Sequence, residues 1–206
     1  MININLEKSN KELKNRTPEE IIAWAIKLNN KRIVTTSFGI YSAVLLNTFS
    51  KMDKEINVIW CDTSLNTIKT YEHARLLIKK LNLNMNVYSP HSTEKQIQEL
   101  KEKSIIDDEK HKEFSEVVKL EPFRRALEIH QPKLWFTNIR VRQTAYRSSK
   151  DILSYSKEGI LKVSPFYYWS DIELDAYLSK NNLPKNESYF DPVKSSQNRE
   201  CGIHLQ

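Results

Sequence analysis

The apolar positions of this chain change their period along its length, and each change marks an element. Residues 17–30, TPEEIIAWAIKLNN, set apolar side chains at helical spacing behind Thr17, Pro18 and Glu20, the cap, first-turn proline and reciprocal acid of a capping box. A helix is predicted there. RIVTTS (32–37) and INVIWCD (56–62) are short β-branched apolar runs, and AVLLNTFSK (43–51) between them has the composition of a buried helix. The three read as a βαβ unit. NTIKTYEHARLLIKKLN (66–82) is a second amphipathic helix, NMNVYSP (84–90) a third strand and TEKQIQELKEKS (93–104) a solvated helix. Farther on, EPFRRALEIH (121–130) predicts a helix with Pro122 near its start, KLWFTNIR (133–140) a strand, and SDIELDAYLSKNN (170–182) a helix capped by Ser170 and Glu173. Strand alternating with helix implies an α/β fold with a doubly wound, mainly parallel sheet.

Composition narrows the class. With 206 residues, 39% hydrophobic side chains and three glycines, the chain reads as one soluble, helix-rich domain with a full core and no repeat or low-complexity linker. No apolar run approaches the roughly 18 residues of a membrane span, and MININLEKSNKELKNR lacks the apolar centre of a signal peptide. A cytoplasmic protein with reduced thiols is expected. Its two cysteines, Cys61 and Cys201, exclude a disulfide framework and the usual four-cysteine iron–sulfur cluster. A net charge of +6 favours an anionic partner, whether nucleic acid, nucleotide or acidic protein, unless a Lys- and Asn-rich composition has drifted basic without consequence.

In a doubly wound fold ligands sit beyond the carboxyl ends of the strands, which directs attention to three loops. The first runs Ser37, Phe38, Gly39, Ile40, Tyr41, Ser42 into a helix, where backbone N–H groups and the helix dipole favour an oxyanion. It lacks the Gly-Lys-Ser/Thr of a Walker loop, and taken alone the pattern favours an ordinary strand-to-helix turn capped by serine. The second, CDTSLNT, presents Asp62 and Thr63 to a nucleoside, or uses Asp62 to cap the next helix. The third, TNIRVRQTAYRSS, carries Arg140, Arg142 and Arg147, whose guanidinium forks match phosphate or sulfate oxygens in pairs or else form a solvated face. Last comes NRECGIHLQ, with Cys201 beside Gly202 and three residues before His204: a leftover, or a reactive group on a mobile arm.

From about residue 30 onward the chain resembles the phosphoadenosine-phosphosulfate (PAPS) and adenylylsulfate (APS) reductases, through TSFGIYSAVLL, KLEPFRRAL, WFTNIRVRQTAYR, KVSPFYYWS and above all RECGIH, in matching order and spacing. The resemblance implies an adenine nucleotide alpha hydrolase-like fold with a modified ATP-pyrophosphatase loop, forming a single domain with an N-terminal helical segment (1–30) and a mobile catalytic tail (195–206). It implies that Cys201 attacks the sulfuryl sulfur to leave an S-sulfocysteine, with Arg199 and His204 lowering the thiol pKa or, for His204, positioning the tail. Ser37, Phe38, Gly39 and Ser42 map onto the oxyanion loop, Asp62 and Thr63 onto the loop that meets the adenosine, and Lys119, Arg140 and Arg147 onto basic positions facing the phosphosulfate or the nucleotide phosphates. The substrate so implied is PAPS, with cluster-free APS reduction as the alternative. No metal and no iron–sulfur cluster is expected, and Cys61, at the end of an apolar strand, is not expected to resolve the intermediate. The resemblance further implies electrons from thioredoxin, glutaredoxin or a similar dithiol protein; a homodimer is admitted, and neither membrane nor nucleic acid is expected as a partner.

Some positions depart from the family. Ser64 and Lys69 stand where glycine and glutamate are usual, and 187–198, ESYFDPVKSSQN, is shorter than the glycine-containing loop common there. Two other functions compete. An adenylating ATP pyrophosphatase would share the fold, but Tyr41 stands where those enzymes have an aspartate. A basic nucleic-acid module would be indifferent to Cys201.

Overall fold

The computed structural model describes residues 2–105, 107–191, 193 and 202–205, with the backbone alone for Leu205. Its elements are α1 (Leu6–Leu13), α2 (Pro18–Ile26), β1 (Arg32–Thr36), α3 (Ser42–Met52), β2 (Asn57–Cys61), α4 (Ile68–Leu81), β3 (Met85–Tyr88), α5 (Glu94–Ser104), α6 (Asp108–Ser115), a π-helical turn (Glu116–Leu120), α7 (Glu121–His130), β4 (Leu134–Phe136), α8 (Ala145–Ser148), β5 (Leu153–Tyr155), β6 (Leu161–Val163), α9 (Asp171–Lys180) and α10 (Gly202–Leu205). Side chains cap most of the longer helices. Both expected capping boxes form, Thr17 with Glu20 on α2 and Ser170 with Glu173 on α9, and Thr93 with Gln96 makes another on α5.

The six-stranded sheet has the order β3-β2-β1-β4-β6-β5, parallel throughout except for β5, which runs antiparallel to β6 at the edge. From β1 the chain winds outward through β2 and β3, then returns to the other side of β1 as β4. The β1–β4 boundary is therefore the switch point, where a doubly wound sheet opens a crevice. Alternation along the strands divides the core by face. Val34, Val58, Leu134, Phe136 and Leu161 join Ile22, Phe49, Leu77 and Leu174 from α2, α3, α4 and α9 in one buried cluster. Ile33, Ile59 and Trp135 turn the other way, onto Phe123 and Ala126 of α7 and Ile203 of α10.

Several regions differ from the sequence reading, which anticipated neither α6 nor α8. The strand expected over 133–140 stops at Phe136; Thr137 adds one last ladder bond to the Val163 carbonyl (2.9 Å), and beyond it Ile139 is buried within a loop whose Val141 amide reaches the Tyr167 carbonyl (2.9 Å). The β5–β6 hairpin was not anticipated, its strands being three residues each around a turn in which Gly159 takes φ 73°. Helix α1 was read only as part of a helical segment; Asn10 hydrogen-bonds both the amide (2.8 Å) and the carbonyl (3.1 Å) of Leu153, so α1 covers the edge strand β5. No helix among the described residues is long and apolar enough to cross a membrane.

Candidate active site

At the switch point lies a cleft of about 250 Å³, lined by the β1–α3 turn, the loop after β4, Lys119, the 189–191 stretch and α10. Its floor is the β1–α3 turn, whose shape begins with Phe38. That residue adopts φ 50°, a left-handed conformation uncommon for a bulky side chain, and its ring is fully buried edge-on against Trp60 at 4.9 Å. The burial holds the strained backbone in place. Two asparagines fix the turn from outside: Asn186 donates to the Phe38 carbonyl (2.8 Å) and Asn138 to the Tyr41 carbonyl (3.0 Å). Tyr189 lies over Gly39, its ring carbons 3.4 Å from the point a Cβ would occupy.

The helix that follows begins differently from its neighbours. A side chain caps α1, α2, α4, α5, α6, α8 and α9; α3 has no side-chain cap, and neither has α7, which continues directly from the π-helical turn. Ser42, its first residue, is buried with its hydroxyl unpartnered, and so are Asn138 Oδ1 and Arg140 Nε, all from residues lining the cleft. Three buried polar atoms without partners around an uncapped helix start form an arrangement that an oxyanion with several acceptor oxygens and bound hydroxyls would complete.

Around this cradle the charge is positive. Arg140 comes from the loop after β4, Arg147 from α8 and Lys119 from the π-helical turn, a distortion that concentrates at functional sites. All three are buried. Gln143 joins the two arginines, its side-chain oxygen accepting from the Arg140 amide (2.9 Å) and from the Arg147 guanidinium. Arg140 also pairs with Asp171 and lies over the Tyr41 ring at 4.9 Å. Lys119 donates to Asp191 at 2.9 Å, both side chains being less than a tenth exposed. Asp191 is in turn fixed by the Val193 amide (3.1 Å).

Helix α10 closes one wall. Ile203 is buried on the sheet, and the His204 ring stacks on Trp135 at 5.8 Å with planes 10° apart. Cys61 also lines the cleft and is half-buried, more accessible than the end of an apolar strand suggested.

Of the residues singled out in the sequence, Ser37, Gly39, Ser42, Lys119, Arg140, Arg147 and His204 meet at this cleft. Phe38 supports it from below. Asp62 and Thr63 do not line it: the Asp62 carboxylate accepts from the Ser64 amide (3.1 Å), Asn66 (2.8 Å) and Tyr71 (2.9 Å). Burial, then the neighbouring Asp62 charge, push the Tyr71 hydroxyl up to about 12. Arg142 is exposed and does not line the cleft. Arg199 and Cys201 lie outside the described residues. Asn138, Asn186 and Asp191 were missed, although Asn138 stands directly after β4 where the switch-point rule looks for ligands, and no spacing announced the other two. Among the described residues no group of three or more histidines, cysteines or acids is placed to hold a metal.

The sheet order defines a class, a doubly wound α/β protein with a cleft at its first crossover. Solved structures agree on the fold. The chain superposes on FMN adenylyltransferase from Candida glabrata, crystallised with FMN and an ATP analogue, with TM-score 0.61 over 88% of this chain and 59% of that one, at 12% identity, a likeness of fold alone. It superposes on PAPS reductase from Candida auris, in a phosphate complex, with TM-score 0.78, 25% identity and coverage of 91% and 92%. The family model described as the phosphoadenosine phosphosulfate reductase domain matches residues 31–195. A phosphoadenosine 5′-phosphosulfate reductase of Vibrio vulnificus is 35% identical across 98% of this chain and 87% of its own length. The chain belongs to the phosphoadenosine phosphosulfate reductase family.

Proposed function

We propose that this protein reduces 3′-phosphoadenosine 5′-phosphosulfate to sulfite and adenosine 3′,5′-bisphosphate in assimilatory sulfate reduction, through an S-sulfocysteine on Cys201 and with a thioredoxin-like dithiol as donor. One observation carries the reading: unpartnered polar atoms around the start of α3, three buried cations and the turn that follows Cys201 converge on a single cleft. In this mechanism Ser37, Gly39 and Ser42 hold phosphosulfate oxygens, and Lys119, Arg140 and Arg147 balance the charge of the nucleotide. The main-chain edges of Asp62 and Thr63 meet the adenosine, and Phe38 acts through the backbone shape it imposes. The Cys201 thiolate, favoured by Arg199 and His204, attacks the sulfuryl sulfur; the S–O bond to the nucleotide breaks and its electron pair leaves with adenosine 3′,5′-bisphosphate. A donor thiolate then attacks Cys201 Sγ and expels sulfite, and the donor's second thiol resolves the mixed disulfide. Two electrons pass from the dithiol to sulfur.

The chemistry is tested by withholding the donor. Incubated with PAPS alone, the protein should release one nucleotide per site and gain about 80 Da on the peptide containing Cys201, as a covalent sulfo adduct requires. Absence of the adduct, or its persistence in Cys201→Ser, would reject the mechanism. A kcat/KM higher for APS than for PAPS would reassign the substrate while leaving the chemistry.

A further inference from the structure

Helix α10 is held in the cleft by more than its stacked histidine. The backbone carbonyl of His204 accepts two hydrogen bonds, from Lys162 Nζ at 3.1 Å and from the Tyr146 hydroxyl at 3.0 Å. Lys162 sits in the middle of β6 and is 4% exposed, so its ammonium is held away from bulk water. It lies 4.6 Å from the centre of the Trp135 ring, whose face also carries His204. Tyr146 belongs to α8, directly before Arg147 of the cleft. Both donors therefore come from elements of the sheet body and meet at one acceptor on the turn that follows Cys201. Gly202 sits against Leu120, with a Cβ there only 2.9 Å from Leu120 Cδ2, and Ile203 fills the apolar face beside Trp135.

We infer that Lys162 and Tyr146 are positioning residues that clasp the 202–205 turn by the His204 carbonyl and so set where Cys201 is presented to the bound nucleotide. A clasp of this composition is reversible. When the turn is closed it keeps a lysine ammonium away from water, and when it opens that ammonium is rehydrated, which offsets part of the lost hydrogen bonding and stacking. Such a balance suits a segment that must meet the nucleotide in one step and a donor protein in the next. The effect on turnover rests on the function proposed above; the docking of the turn does not.

Two readouts on the full chain, in Lys162→Met, Lys162→Arg and Tyr146→Phe, separate these claims. The first is the rate of iodoacetamide labelling of Cys201, followed on its own peptide by mass spectrometry without substrate. Lys162→Met should raise it by about 10- to 100-fold, the loss of one charged hydrogen bond, and Tyr146→Phe by about tenfold or less. Lys162→Arg, which keeps a donor, should bring it back toward wild type. The second is steady-state PAPS reduction, in which kcat should fall with the labelling order while KM stays within about twofold, since the cradle is untouched. Unchanged labelling in both Lys162→Met and Tyr146→Phe overturns the clasp. Faster labelling with KM rising as kcat falls would make Lys162 a substrate contact instead, also overturning it. Faster labelling in a protein with no PAPS reductase activity would leave the clasp standing and remove the proposed function. Tyr146→Phe takes away one hydroxyl and keeps the ring, so the test survives if Lys162→Met does not fold.

Discussion

Two strand-to-helix turns leave the same end of the sheet, Ser37–Tyr41 after β1 and Asp62–Thr67 after β2, and they treat their polar groups in opposite ways. Each carries a non-glycine residue in the left-handed region, Phe38 at φ 50° and Ser64 at φ 60°. The second turn is closed on itself: Asp62 takes Ser64, Asn66 and Tyr71, the Leu65 amide reaches Thr63 Oγ1 (3.3 Å), and Thr67 caps α4. The first turn is open. Its helix has no side-chain cap, and the Ser42 hydroxyl, with Asn138 Oδ1 and Arg140 Nε beside it, is buried without a partner. A turn whose side chains satisfy one another has only its main-chain edges left to offer, whereas one that buries polar side-chain atoms unsatisfied calls for an outside partner, the role proposed above for the nucleotide.

The sharpest way to break that contrast is to remove one polar group from each turn. Ser42→Ala deletes a buried hydroxyl that bonds nothing in the free protein, so stability should hold or rise while affinity for adenosine nucleotides falls about tenfold. Asp62→Asn should do the reverse, lowering stability by about 1–3 kcal/mol as bonds to a charged acceptor weaken, with affinity changed less than threefold. Urea titration and calorimetric binding of adenosine 3′,5′-bisphosphate read both. If Ser42→Ala destabilises the protein without affecting binding, the open turn is only an imperfect one.

A smaller effect is expected at the cleft's own carboxylate. Asp191 pairs with Lys119 where the nucleotide's anionic groups are proposed to enter, so ligand charge and Asp191 repel each other. Asp191→Asn retains an acceptor for the lysine but removes that repulsion, so adenosine 3′,5′-bisphosphate should bind at least about fivefold tighter, the ~1 kcal/mol that two like charges carry even in a water-like dielectric. The melting temperature should fall as the buried ion pair is weakened. Weaker binding in Asp191→Asn would mean that the carboxylate serves the ligand by aligning Lys119 rather than competing with it.

How far this was legible in the sequence depended on the range of the interactions. Capping boxes such as Thr17 with Glu20 are local hydrogen bonds, and β1, β2 and β3 with their helices fell where periodicity put them. The overlong fourth strand misled because Ile139 is buried although it belongs to a loop, which in sequence looks like continued alternation. Lys119 was expected from the family resemblance, but its place on a π-helical turn had no local cue, nor did its pairing with Asp191, 72 positions away. Asn186, the clamp on Phe38, is 148 positions from its acceptor and resembles any turn asparagine. Ser64 is a different case. The sequence marked it as a departure from a usual glycine, and its positive φ supplies the reason.

That reason yields the smallest prediction and the finest test of the two turns. A left-handed conformation costs an L residue about 1–2 kcal/mol, and glycine gives back about 0.5–1 of this through its greater freedom when unfolded. Ser64 is exposed, and its amide bond to Asp62 Oδ1 (3.1 Å) is one that glycine keeps. Ser64→Gly should therefore stabilise the fold by about 0.5–1 kcal/mol. The same change at Phe38 should have the opposite sign, because the buried ring against Trp60 is lost, at about 3–5 kcal/mol for truncating a core phenylalanine, and that outweighs the backbone relief. Urea midpoints measured side by side decide it. If Phe38→Gly is no less stable than wild type, the buried ring is not what holds the cradle in its left-handed shape, and the two turns differ less than their hydrogen bonds indicate.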